Sequence, residues 1–300
     1  MQVGVNLPLA EIGADLVAVR DFVQAAEALG YAHVKMRDHI LGSDLRFHPE
    51  ITIVHYSHET YVHEPFTLMA YLAAITEKVQ LVTGILILPL RQTALVAKQA
   101  AEVDVLSGGR LRLGIGVGWN PVEFQALGQD FKNRGQRVEE QIAVLRALWT
   151  QEVVNFTGRW HQITYAGLNP LPVQRPIPIW MGGGQPAAPI PPEAPLRRIA
   201  RMADGWSPLF APGTAGQEAI QRMRGYATEV GRDPASIGID GRVTMAGKGP
   251  EDWLTEVKTW EELGASHLTL GVASSFATGD PESPDEHINA LRRFKEAVGV

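Results

Sequence analysis

Short runs of β-branched and other apolar residues alternate with longer amphipathic segments along the whole chain, which favours a parallel sheet with crossover helices. Strands are predicted at residues 3–6, 32–36, 79–88, 111–117, 177–181, 205–207, 237–244 and 267–270. Helices are predicted at residues 16–29, 65–75, 93–106, 134–149, 196–202, 214–230, 250–263 and 285–298. Eight strand–helix units in 300 residues predict an α/β fold of the TIM (β/α)8 barrel type.

The spacing of the units indicates one barrel domain over residues 1–300, with loop insertions at about 37–63, 119–176 and 185–195. Within the second insertion, residues 153–168 resemble a hairpin, and in the third, five of the ten residues 186–195 are proline. A doubly wound sheet is the structural alternative. That fold normally carries a glycine fingerprint after its first strand, and residues 6–9 contain no glycine.

Composition narrows the classes of function. The chain has 27 basic and 33 acidic residues, a formal charge of -6, so it lacks the basic excess that nucleic acid favours. It has no cysteine, which excludes thiolate catalysis, cysteine-ligated zinc and iron–sulfur clusters. No export signal and no membrane-spanning apolar run are visible, so we expect a cytoplasmic protein without a membrane or nucleic-acid partner.

Catalytic groups of a TIM barrel lie just after the strands, at the carboxyl-terminal face. Asp38 and His39 end the second predicted strand and are the best acid/base candidates, because histidine exchanges protons near neutral pH. The alternative is an ordinary surface or loop histidine, which is the commoner role for any one of nine histidines. Trp119 and Trp206 also follow strands and are expected to face the site.

Two glycine clusters follow predicted strands. Gly182, Gly183 and Gly184 expose backbone N–H groups that suit a phosphate, although sharp barrel turns also need glycine. The alternating glycines Gly114, Gly116 and Gly118 do not have the spacing of a dinucleotide fingerprint.

A metal site is the alternative suggested by His55, His58 and His63, which a metal-dependent hydrolase would combine with His39. These histidines lie in an aperiodic segment without a matching carboxylate pattern. A solvated loop or lid is the preferred interpretation, and no metal is expected.

Several motifs, in this order along almost the whole chain, resemble the bacterial luciferase-like superfamily of flavin- and deazaflavin-dependent oxidoreductases. They are VKMRDH (34–39), LVTGILILP (81–89), LSGGRLRLGIGVGW (106–119), Arg134-x-x-Arg137-x-x-Glu140, PIWMGG (178–183) and ADGW (203–206). The resemblance implies a TIM barrel with an insertion and a cofactor, coenzyme F420 or FMN, at the carboxyl-terminal mouth.

The resemblance also implies roles for individual residues. His39 would transfer a proton to the substrate or stabilise the reduced ring, and Thr83, Gly84 and Ile85 would form a bulge against the back of the ring. In many relatives the peptide corresponding to Gly84–Ile85 is a non-prolyl cis bond, and we predict one here. The implied cofactor-binding residues are Asp38, Thr83, Gly84, Ile85, Gly116, Gly118, Trp119, Asn120, Glu123, Met181, Gly182, Gly183 and Gly184, with the last three donating to the phosphate.

Two departures from the family pattern concern local contacts. Gln185 and Pro186 follow the glycines, where relatives commonly have a small polar residue and a helix. Residues 35–37, Lys-Met-Arg, replace the apolar residues expected before Asp38.

The predicted activity is transfer of hydride or oxygen to a small organic substrate, with the cofactor supplying the redox chemistry. The segment GWNPVEF (118–124) resembles F420-dependent members, and FMN with monooxygenase chemistry is the close alternative. A non-catalytic flavin-binding protein is a further alternative. The substrate pocket is expected from residues 41–63 and 185–195, and a homodimer is expected because it is usual among relatives.

Overall fold

The computed structural model describes residues 1–51, 56–272 and 283–299, and it contains a closed barrel of eight parallel strands. The barrel strands are β1 Gln2–Asn6, β2 His33–Met36, β3 Gln80–Thr83, β4 Leu111–Gly116, β5 Ile179–Gly183, β6 Gly205–Pro208, β7 Gly238–Thr244 and β8 His267–Gly271. The helices that follow them in order are α1 Leu16–Ala28, α2 Pro65–Ile75, α3 Thr93–Leu106, α4 Arg134–Thr150, α5 Glu193–Met202, α6 Thr214–Glu229, α7 Pro250–Glu262 and α8 Pro284–Val298. The prediction of a TIM barrel is confirmed.

Each strand pairs in parallel with the next one along the chain, and β1 closes the ring against β8 through the pairs Gln2↔His267 to Val5↔Leu270. The pairing of β3 with β4 is short, with Leu81 opposite Leu111 and Val82 opposite Arg112. Because all the strands are parallel, their carboxyl ends meet at one mouth, where the catalytic groups of such barrels lie.

Capping residues explain where the helices begin. Asp15 precedes α1, and its carboxylate accepts the N–H groups of Val17 and Ala18 at 2.8 and 3.1 Å. Ser283 and Glu286 form a capping box at the start of α8, which ends at Gly299 in the left-handed conformation. The buried faces of the helices then cover the outside of the barrel.

Smaller elements decorate the barrel. Two short helices span Leu9–Ile12 and Pro121–Ala126, and a hairpin pairs Val154–Thr157 with Gln162–Ala166. The hairpin lies within the predicted range 153–168, whereas the helix at Pro121–Ala126 was not predicted. In the described part of the chain, no helix is both long and apolar enough to span a bilayer.

The third predicted strand, 79–88, is interrupted. β3 ends at Thr83, and Leu86–Ile87 forms a separate short strand beside β4. Between them, Ile85 has φ of +114°, and Gly84 donates its backbone N–H to the carbonyl of Met36. The cis bonds of the described residues are Asn169–Pro170 and Arg175–Pro176, so the predicted cis peptide at Gly84–Ile85 is wrong: the chain bends there through the dihedral angle of Ile85.

Candidate active site

A cavity of about 830 Å³ opens at the carboxyl-terminal mouth of the barrel. Side chains and backbone from the ends of several strands line it, as expected for this fold. The predicted site residues in its lining are Asp38, His39, Gly84, Ile85, Gly116, Gly118, Trp119, Met181, Gly182, Gly183 and Gly184. Motifs that are far apart in the sequence therefore meet in one place.

Three predicted cofactor contacts, Thr83, Asn120 and Glu123, are buried and are not part of the cavity lining. The Thr83 hydroxyl donates to the carbonyl of Gly114 at 2.7 Å. Asn120 caps the short helix Pro121–Ala126 by accepting the N–H of Val122 at 3.0 Å. The structure gives these residues supporting roles behind the cavity wall.

Glu123 is the partner of His39. One carboxylate oxygen lies 3.0 Å from His39 Nδ1, and the other accepts the backbone N–H groups of Ile40 and Leu41 at 2.8 and 3.2 Å. A carboxylate accepts hydrogen bonds, so Nδ1 carries a proton and Nε2 is the ring nitrogen available to a ligand. The side chain of Glu123 is 1% exposed, so water does not compete for these bonds.

Aromatic rings hold the imidazole on two sides. Tyr56 stacks on His39 with ring centroids 3.8 Å apart, and Trp119 approaches edge-on at 5.6 Å. Burial raises the pKa of Tyr56, so its hydroxyl stays protonated at neutral pH. Sequence reasoning missed Tyr56 because it lies in the aperiodic segment after β2.

Asp38 connects the end of β2 to the segment after β3. Its carboxylate accepts the N–H of Ile87 at 2.8 Å and pairs with Arg91 at 2.7 Å. Burial raises the pKa of Asp38, and the Arg91 guanidinium and the Ile87 N–H act in the opposite direction. Although Asp38 lines the cavity, these bonds make it a positioning residue for the Gly84–Ile85 bulge.

The bulge packs into a slot between two barrel glycines. A Cβ atom at Gly116 would lie 2.5 Å from Ile85 Cγ2, and one at Gly182 would lie 2.9 Å from Ile85 Cδ1. Both distances are shorter than real Cβ contacts, so a side chain at either position would force Ile85 to shift.

The glycine segment 182–184 begins inside the sheet. β5 continues to Gly183, and the register places Gly182 and Gly183 opposite Ser207 and Pro208 of β6. Gly184 then adopts φ of +87°, and Gln185 and Ala188 exchange two backbone hydrogen bonds that close the turn. Helix α5 starts at Glu193, after four of the five prolines of residues 186–195, so no helix N-terminus follows the glycines directly.

Two arginines that were not predicted as site residues line the same cavity, Arg134 at the start of α4 and Arg198 in α5. Arg134 donates to the carbonyl oxygens of Phe131 at 2.7 Å and Gly118 at 3.3 Å. Burial lowers the pKa of Arg134, and the positive charge of Arg198 acts in the same direction. A phosphate group would attract both guanidinium groups.

The floor of the cavity is an ion pair. Lys35 Nζ lies 2.9 Å from Asp240 Oδ2, and Thr269 donates its hydroxyl to Asp240 Oδ1 at 2.8 Å. Lys35 holds the pKa of the buried Asp240 well below its usual range. The sequence marked Lys35 only as a departure from the family pattern, and its carboxylate partner is 205 residues away.

The two described histidines of the metal alternative, His58 and His63, have other surroundings. His63 Nε2 lies 2.8 Å from the carbonyl oxygen of Gly13, and His58 is 46% exposed beside Glu59. His55 lies outside the described residues. Among the described residues, no group of three or more His, Asp or Glu side chains is placed to hold a metal ion.

Comparison with known proteins identifies the family. The family model for luciferase-like monooxygenases matches residues 1–247, so the chain belongs to this family. An uncharacterized protein of Mycobacterium tuberculosis is 31% identical over 299 residues, covering 96% of this chain and 97% of that protein. An FMNH2-dependent dimethylsulfone monooxygenase of Pseudomonas putida is 38% identical over 130 residues, 42% of this chain and 36% of that enzyme.

Among solved structures, an F420-dependent secondary alcohol dehydrogenase in complex with an F420–acetone adduct superposes with a TM-score of 0.76. The superposition covers 99% of this chain and 98% of the dehydrogenase, at 17% sequence identity. At this identity the likeness shows a shared fold and no more. The chain is thus similar in sequence to an FMNH2-dependent enzyme and in fold to an F420-dependent one.

Proposed function

We propose that this protein is an oxidoreductase that binds FMN or coenzyme F420 in the mouth cavity and acts there on a small organic substrate, with His39 as the acid/base. The observation that carries the proposal is the His39–Glu123 pair. A histidine oriented by a buried carboxylate lies in the same cavity as the Gly84–Ile85 bulge and the glycine segment after β5.

The residues present fit such a cofactor. The cavity volume lies within the range of about 300–1,000 Å³ that is usual for ligand sites. Arg134, Arg198 and the backbone of Gly184 would hold the phosphate, and Ile85 and Met181 would offer apolar contact to a ring. The two arginines in the cavity lining make this assignment more specific than the glycines alone.

When bound, the cofactor supplies hydride transfer or oxygen chemistry, and the protein supplies position and a proton. Glu123 fixes His39 in one orientation, so Nε2 can take a proton from the substrate or return one to it. Tyr56 and Trp119 shield the imidazole from solvent.

Support for the two cofactors comes from different relatives. F420 is favoured by the resemblance of residues 118–124 and by the fold of the secondary alcohol dehydrogenase. FMN is favoured by the dimethylsulfone monooxygenase, whose similarity is a sequence match over part of each chain.

Titration with F420 and with FMN, followed by ring absorbance and fluorescence, tests the proposal. Riboflavin is the matched control because it lacks the phosphate. We expect an Arg134→Gln/Arg198→Gln variant to lose about 10-fold or more in affinity for FMN and little for riboflavin. If the wild-type chain binds neither F420 nor FMN, the proposed function is wrong.

Replacement of His39 tests its role separately. His39→Ala should retain cofactor binding while turnover of a substrate found by screening falls by about 10²–10⁴. His58→Ala, at an exposed position outside the cavity lining, should leave both unchanged. Full turnover in His39→Ala would remove His39 from the acid/base role.

We also propose, from the family resemblance, that the protein works as a cytoplasmic homodimer. Light scattering coupled to gel filtration of the full chain would give the molar mass in solution. A monomeric mass at working concentration would contradict the dimer.

A further inference from the structure

The described lining of the cavity is rich in basic side chains although the chain is acidic. Among the described residues, the lining contains five basic side chains and two acidic ones, whereas the whole chain has a formal charge of -6. The basic residues are Lys35, Arg37, Arg134, Arg198 and Arg242, and the acidic ones are Asp38 and Asp240. A concave surface of one sign concentrates ligands of the opposite sign.

Most of these cations already have partners within the protein. Lys35 pairs with Asp240, and Arg198 pairs with Glu139 at 3.0 Å. Arg134 is held by two backbone carbonyls. These three cations therefore already make bonds within the protein that do not depend on a ligand.

Arg242 is different. It projects from β7 two residues after Asp240, so both side chains point to the same side of the strand, into the cavity. Within the described ranges, no hydrogen bond or ion pair joins its guanidinium group to another residue. Burial lowers the pKa of Arg242, and no carboxylate opposes that effect. A largely enclosed arginine with five unused donors is suited to a bidentate anion.

The position of Arg242 separates it from the proposed phosphate site. β7 lies across the eight-stranded barrel from β3, which carries the Gly84–Ile85 bulge, whereas Arg134 and Arg198 follow β4 and β5. If the ring lies against the bulge, Arg242 faces its other side across the cavity, where a substrate has room.

We propose that Arg242 binds the anionic group of the substrate, and that the substrate is an organic anion such as a carboxylate, sulfonate or phosphonate. The inference rests on the proposed function, because it places the substrate opposite a ring bound at the bulge. A carboxylate of the cofactor itself is the other source of the same chemistry, and the test separates the two.

Matched anionic and neutral probes test the recognition of charge in the full chain. Benzoate and benzamide form one pair of equal shape, and butanoate and butanamide form a smaller pair. Binding is measured by isothermal titration, with and without saturating FMN or F420, so the readout is independent of turnover. We expect each carboxylate to bind about 10-fold or more tightly than its amide.

Variants assign the preference to Arg242. Arg242→Gln should abolish the preference for the carboxylate while leaving amide binding unchanged, and Arg242→Lys should restore part of it because the charge is kept. Arg222→Gln removes an equal charge from an exposed position on α6 and should behave as wild type. The proposal is overturned if wild type shows no preference for either carboxylate, or if Arg242→Gln keeps it.

Cofactor titrations with the same variants complete the test. The affinity of Arg242→Gln for FMN and for F420 should match that of wild type, and a selective loss of F420 affinity would assign Arg242 to the cofactor's carboxylates instead. Failure of all cofactor binding in wild type would contradict the proposed function, while the carboxylate preference of the protein without cofactor would still report on Arg242.

Discussion

Glu123 contacts and orients His39 without being part of the described cavity lining. One of its oxygens is occupied by the backbone N–H groups of Ile40 and Leu41, which leaves the other for the imidazole. The same carboxylate therefore orders the loop after β2 and sets the histidine tautomer. Because Glu123 holds Nδ1 of His39, the ring presents Nε2 to the cavity in one orientation.

Glu123→Gln should reverse that tautomer. The amide oxygen can still accept the two backbone N–H groups, so the NH2 group faces His39 Nδ1 and makes this nitrogen an acceptor. The proton then moves to Nε2. We expect 15N shifts of labelled histidine to report this exchange, and turnover to fall by about 10²-fold or more.

The exposed pair of His48 and Glu50 is a matched control, since its Nδ1 lies 3.1 Å from the carboxylate. Glu50→Gln should change neither turnover nor the spectrum of His39. Persistence of the Nδ1 proton in Glu123→Gln would contradict the orienting role.

The sequence located His39 but not its partner. His39 was recognisable because ionisable residues at a strand end are typical of a barrel active site. Glu123 was predicted to touch the cofactor, and the structure places it behind His39, 84 residues along the chain. Asp240 and Arg242 were not predicted as site residues. Alternating polar residues within one strand do not indicate which charged side chains of other strands they will face inside the barrel.

At the level of elements, hydrophobic periodicity was sufficient for the eight strands and eight helices. It failed at the bulge, because an apolar run from Val79 to Leu88 looks the same whether the strand is continuous or broken. The break depends on contacts from other elements: the carbonyl of Met36 accepts the N–H of Gly84, and glycines of β4 and β5 admit the Ile85 side chain.

Gly116→Ala tests that packing. The new methyl group would collide with Ile85 Cγ2, so we expect the free energy of unfolding to fall by about 1–3 kcal/mol. In the Gly116→Ala/Ile85→Ala double variant the colliding atom is gone, so the two changes should cost less together than separately. Urea unfolding of the four proteins in the cycle measures this coupling.

Gly225 on α6 provides the control for glycine replacement. A Cβ atom there has nothing within 4 Å, so Gly225→Ala should raise stability by about 0.5–1 kcal/mol. If the losses of unfolding free energy caused by Gly116→Ala and Ile85→Ala simply add in the double variant, the proposed contact between position 116 and Ile85 is contradicted.

At the level of the whole molecule, the barrel interior is a concentrated region of charge. Arg112 is buried with its guanidinium 4.6 Å from the Trp180 ring, and His267 packs against the same ring. Burial, together with the charge of Arg112, lowers the pKa of His267 to about 4 and that of His33 well below its ordinary value. The folded barrel thus keeps both histidines neutral.

Stability should therefore decrease in mild acid. In the unfolded chain a histidine takes up a proton near pH 6.5, whereas His267 in the folded protein does so only near pH 4. The unfolded state binds more protons between these values, so the free energy of unfolding falls as pH falls from about 6.5 to 4. Urea titrations at several pH values give the slope.

The slope of the unfolding free energy against pH reports how many protons are taken up on unfolding, and His267→Gln should reduce that number by up to one. His58→Gln is the control, because it removes an exposed histidine. An unchanged slope in His267→Gln would show that this residue does not contribute to the acid sensitivity.

The pairing of β1 with β8 has a consequence for synthesis. The first strand cannot close the ring until residues 267–271 have left the ribosome, so its outer edge waits unpaired. At about 5–20 residues per second this delay is on the order of 10–50 s. During that interval the open edge of the first strand is a place where the nascent chain can pair with a strand of another molecule.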